Sequence, residues 1–181
     1  MKIAKQLKDT NIAEYLLYMW QLEDTLRAYG CDADRLRTEY VSRFDYSEED
    51  RRAEAQWLSD LCQMMREEGK TESGHLFMNQ GTLLLLTDLH LELLKSPKHP
   101  FYSAAYYKAL PFIVELRSRS GHGEETPELE NCFEALYGVM LLRLQQKPVS
   151  KETKEAVTHI SRLLALLADA WQKEQTGELE L

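Results

Sequence analysis

The residues whose types suit chemistry are Glu23, His75, Asn79, His90 and three tyrosines, Tyr102, Tyr106 and Tyr107. A carboxylate facing an imidazole across a helical interior makes a general acid–base pair, and an amide with tyrosine hydroxyls can orient a small polar ligand in a pocket. Glu23 falls between Leu16, Met19 and Leu26 in an apolar seam, where leucine would be expected. Arg27, one turn later, offers the ordinary explanation of an intrahelical ion pair at the core's edge. His90, Asn79 and His75 project from one side of a leucine-rich helix, and a buried imidazole there must be hydrogen-bonded. A satisfied core histidine is the commoner outcome at such a position, and a functional one the rarer.

The run "GTLLLLTDLHLELLK" spaces Asp88, His90 and Glu92 at alternate positions, as a metal-binding strand would. Its length favours a helix instead. At about 100° per residue, Asp88, Glu92 and Lys95 share a stripe with Gly81, while His90 lies roughly 200° from Asp88. The three cannot converge on one ion. A di-metal carboxylate site would need two Glu-x-x-His pairs, and only Glu72 and His75 offer that spacing. His159 reads as a surface residue. Arg117 and Arg119, ahead of a helix start, could hold an anion, although they also suit the negative end of their own helix. Phosphate-loop, dinucleotide, nucleophile-elbow and zinc-protease motifs are all missing. No metal and no cofactor are expected.

The elements that must position these groups are helices. Leu, Glu, Ala, Arg and Lys are plentiful, while the chain has only 8 Gly and 5 Pro, a helix-forming composition. Seven segments can be read. They cover about 11–29, 32–44, 47–69, 73–95, 100–118, 126–146 and 150–174, with Asp32, Ser47 and Ser150 as caps. The predicted fold is all-α: a single-domain, up-and-down bundle of six to seven antiparallel helices over 1–181, with 1–9 and 175–181 as frayed tails. The fifth helix is predicted to kink or break near Pro111, which removes an amide and clashes with the carbonyl of Tyr107. That helix is apolar almost all round, so it should be sandwiched, either inside the bundle or by a second subunit.

A net charge of −8 disfavours nucleic acid and anionic membranes as partners. The longest apolar run is four leucines, far short of the ~20 residues of a membrane span. The 3 cysteines form no C-x-x-C pair and read as reduced thiols of a cytoplasmic protein.

The stretch "IAKQLKDTNIAEYLLYMWQLEDTLRAYG", and "NIAEYLLYMWQLED" above all, resembles the opening of an uncharacterised bacterial all-helical family of about this length. The resemblance implies a small soluble protein of unknown function and supplies no catalytic residues. Two functions follow as expectations. One is a non-catalytic, self-associating helical binding or assembly module. The other is a small-molecule enzyme or sensor using a polar cavity lined by Glu23, His75, Asn79, His90 and the tyrosines.

Overall fold

The computed structural model describes residues 1–120 and 127–181, with the side chains of 119 and 120 excepted. Eight α-helices and no strands are found among the described residues: α1 (Lys2–Thr10), α2 (Ile12–Ala28), α3 (Ala33–Arg35), α4 (Glu48–Glu67), α5 (Phe77–Lys95), α6 (Pro100–Ser120), α7 (Glu128–Leu144) and α8 (Lys151–Gln175). The chain divides into two compact units, Met1–Thr10 with Glu14–Gly81, and Asn11–Ala13 with Thr82–Leu181.

The predicted caps are in place. Ser47 accepts from the Asp50 amide at 3.1 Å, Ser150 from the Thr153 amide at 3.1 Å, and Asp32 from the amides of Asp34 and Arg35. Four helix ends close alike, with a residue in the left-handed region whose amide bonds back to the last turn. Gly30, Gly69 and Gly177 fill three of these positions; the fourth is Gln146, at φ 55°.

Four expectations need correction. The tail 1–9, expected to fray, lies in α1 from Lys2 on and buries Ala4; the Asn11 side chain then accepts from the Ala13 amide at 3.2 Å and opens α2. The segment after Asp32 is α-helical only to Arg35 and continues as a π turn (Leu36–Tyr40) and a 3-10 turn (Val41–Arg43). Tyr29, Tyr40, Phe44 and Tyr46 pack ring against ring around that segment. Helix α5 begins at Phe77 and not near Ser73, so Glu72 and His75 lie outside any helix and lose the one-turn spacing a metal pair requires. Finally, of the kink or break expected near Pro111, the break does not occur: α6 runs through it. Proline deletes one bond of the ladder, and in a helix of 21 residues the remaining turns hold the rod together.

In the second unit α6 packs on α8 and α7, and α7 on α8. Tyr102, Ala105, Ala109 and Ile113 form the buried face of α6, and Ile160, Leu163, Leu164 and Leu167 that of α8. Within the first unit, Leu58, Leu61, Cys62 and Met65 are the buried face of α4.

Candidate functional site

Glu23 is 1% exposed, and its charge is met by three donors. The His75 Nδ1–H donates to Oε2 at 2.6 Å, while the Leu76 amide (2.9 Å) and the Asn79 Nδ2 (2.6 Å) donate to Oε1. Leu76 is the residue whose carbonyl receives the first amides of α5. The carboxylate therefore caps α5 from a different helix, at the end where the helix dipole favours negative charge. Because a carboxylate only accepts, the Asn79 amide must turn its nitrogen toward it. Its Oδ1 is then buried without a protein partner, at a cost of about 1–3 kcal/mol that the charged contacts offset. The imidazole of His75 stacks on Trp20 with ring centres 4.0 Å apart and planes 13° apart.

The expected Glu23–Arg27 ion pair is not formed. Arg27 pairs with Asp24 at 2.7 Å and donates through Nε to the Lys70 carbonyl at 3.1 Å and through Nη2 to the Gly74 carbonyl. Glu23 and Arg27, one turn apart on α2, thus hold the two ends of the connection between α4 and α5. In place of each other they bond to three backbone groups, the Leu76 amide and the Lys70 and Gly74 carbonyls, and Arg27 takes Asp24 as its opposite charge.

His90 is 3% exposed and shares a 2.6 Å hydrogen bond between Nδ1 and the Tyr102 hydroxyl. Its ring meets Tyr106 edge-on at 5.2 Å, and the Tyr106 hydroxyl donates to Glu128 Oε2 at 2.9 Å. Burial lowers the imidazole's pKa, partly countered by the Glu128 charge, and so keeps it neutral. Burial pushes the Tyr106 hydroxyl up to about 12, helped by the Glu128 hydrogen bond, and raises Tyr102 as well.

The expected ligand-lining residues thus fall into two groups, one in each unit: Glu23, His75 and Asn79 in the first, and His90, Tyr102 and Tyr106 in the second. Tyr107 joins the second only through its ring, 5.4 Å from that of Tyr106, and is otherwise exposed. In the second unit a cavity of about 170 Å³ reaches Tyr102 and is lined also by Leu93, His99, Lys173 and Leu179. Pockets that hold drug-sized ligands run to roughly 300–1,000 Å³. His99 Nε2 is already within 2.8 Å of the Glu180 carbonyl there.

Asp88, Glu92 and Lys95 are exposed, as the helical geometry predicts. Among the described residues, no group of three or more His, Cys, Asp or Glu side chains is placed to hold a metal ion. His159 is half-buried, its ring stacked on Phe112 at 5.0 Å. Arg117 is half-buried on α6, and the side chain of Arg119 and the 121–126 loop lie outside the described residues. What the periodicity of the leucine run did not reveal is that Phe77, Met78, Leu84, Leu85 and Leu91 share the exposed side of α5 with its charged residues.

Residues 1–178 match a family model described as "Domain of unknown function (DUF4924)". The chain belongs to this family. The match extends the likeness at residues 3–30 to nearly the whole chain, and the DUF4924 description assigns no activity. No curated protein and no solved structure matches. Among the described residues, no helix is long and apolar enough to cross a membrane.

Proposed function

We propose that this DUF4924 protein is a cytoplasmic helical assembly module, without chemistry of its own, that works as a homo-oligomer. In the second unit α6, α7 and α8 pack on one another, which supports reading them as part of an antiparallel, up-and-down bundle. One observation carries the reading: α6 is apolar on both sides but covered on only one. Opposite its buried face, Tyr107 is 67% and Val114 59% exposed, with Ala104 and Pro111 exposed on the same side and Phe101, 84% exposed, beside them. Of the two ways to sandwich such a helix, the exposure of these side chains favours cover by a second subunit. The five exposed apolar side chains of α5 support the same reading, since contiguous apolar surface on a soluble chain marks an interaction site.

The two candidate polar groups support a non-catalytic reading as well. Glu23 spends both oxygens on donors that fix a helix start, and His90 Nδ1 is occupied by Tyr102. Light scattering on a sizing column tests the proposal: a mass of at least two chains at micromolar concentration is expected, and a single-chain mass would overturn it.

A further inference from the structure

We propose that His75 is a phosphoryl acceptor, taking the group on Nε2 from a small phosphoryl donor. The carboxylate–imidazole pair at the start of α5 leaves one ring nitrogen unused. Glu23 Oε2 holds Nδ1–H at 2.6 Å, which fixes the tautomer and puts the lone pair of the neutral ring on Nε2. Among the described residues nothing bonds to Nε2, and that edge of the ring reaches solvent: the His75 side chain is 26% exposed, its carboxylate partner 1%. Trp20 stacks on the ring and holds its plane. Among the described residues no other histidine has a ring nitrogen on a carboxylate. His90 is buried against Tyr102, His99 has Nε2 on the Glu180 carbonyl, and His159 stacks on Phe112. This site lies beyond the assembly reading and does not depend on it, because the chain supplies only the acceptor.

The surroundings select the electrophile. Lys70 lies along Gly74, the residue before His75, where a Cβ would meet its Nζ at 3.4 Å. Its ammonium stands over the Phe77 ring at 5.4 Å and makes no ion pair among the described residues. Of the carboxylates on this loop and beside it, Asp24 is paired with Arg27, Glu68 accepts from the Phe77 amide at 2.6 Å, and Glu72 is exposed. An unpaired cation beside the imidazole favours an anionic phosphoryl group over a neutral acyl one. A metal ion would need further ligands, and among the described residues no such group converges. In the step, the Nε2 lone pair forms a bond to the phosphorus of a phosphoramidate or an acyl phosphate. The donor's P–N or P–O bond breaks, and the leaving amine or carboxylate keeps the electron pair. Nδ1 keeps its proton, and the positive charge that forms on the ring faces Glu23.

The test incubates the full chain with phosphoramidate beside N-acetylhistidine at the same pH. Mass spectrometry reads the residue and phosphorus NMR the isomer. His75 is expected to react about tenfold faster than the free ring, the size of one charge-assisted hydrogen bond gained in the transition state. It should react on Nε2 alone, whereas the free ring offers both nitrogens. In denaturant the rate should fall to that of the free ring and both isomers should form. In Glu23→Gln, the Leu76 amide and Asn79 hold the new amide oxygen, so its NH2 faces Nδ1 and moves the ring proton to Nε2. The rate at His75 is then expected to fall about tenfold with helix content unchanged. A native rate no higher than the free ring's, a rate unchanged in denaturant, or phosphorylation at Nδ1 would each overturn the assignment. So would a folded Glu23→Gln chain that reacts like wild type. The comparisons on the wild-type chain need no variant and decide the matter even if Glu23→Gln does not fold.

Discussion

Glu23 Oε2 lies 2.6 Å from His75 Nδ1, joining the middle of α2 to the last turn of chain before α5. With the Leu76 amide and the Asn79 side chain on the other oxygen, a buried carboxylate becomes the fastening of a loop. Removing it strands three donors, of which the Leu76 amide and the Asn79 side chain are buried away from water. Glu23→Ala is therefore expected to lower unfolding free energy by about 2–4 kcal/mol, read from urea denaturation. Asp24→Asn on the exposed side of the same helix should lower it by under about 1 kcal/mol. Equal effects would show that the buried contacts do not carry the loop.

His90 and its tyrosines set the pH dependence. The folded protein holds the imidazole's pKa below its ordinary value, so below about pH 6.5 the unfolded chain takes up a proton that the native one resists. Stability from this group is present above that pH and lost as pH falls. The tyrosines act in the opposite direction. With Tyr106 pushed up to about 12, its contribution is intact below about pH 10 and declines as pH rises toward its native value. Thermal melts of wild type and His90→Gln should differ in slope between pH 7 and 5. Parallel curves would mean that the imidazole is not resisting protonation.

Burial pushes the thiols of Cys62 and Cys132 up to about 12, and Cys31 is buried too. Thiolate is the reactive form. A thiol reagent at pH 8 is expected to label none of the 3 cysteines in the native protein and all of them in denaturant. Rapid native labelling of Cys62 or Cys132 would contradict the packing around α4 or α7.

Gln146 occupies, at φ 55°, the position that glycine fills at three other helix ends. Its side chain is exposed. Gln146→Gly is expected to stabilise the protein by up to about 1 kcal/mol, measured as a raised urea midpoint. A lowered midpoint would mean that the glutamine has a role of its own.

Helices announced themselves locally, through Ser47, Ser150 and Asp32 at their starts and glycines at their ends, because caps and stops act within a few residues. Helix α1 was harder to see: "KIAKQLKDT" has a thin apolar stripe, and only Ala4 is buried. That Glu23 and His90 sit on apolar faces followed from periodicity. Their partners did not, since Glu23 finds the Leu76 amide 53 residues away, and no local pattern distinguishes that from a pair with Arg27. Exposure of α5 was equally hidden, because leucines all round a helix say that cover is wanted but not which molecule supplies it.

The central question is whether the uncovered face of α6 is an interface, and the solution mass of Val114→Glu beside that of wild type answers it most directly. Wild type should sediment as at least two chains and the variant as one, with identical helix content. If both sediment as single chains, or both remain associated at equal strength, that face is not where this protein meets its own copy.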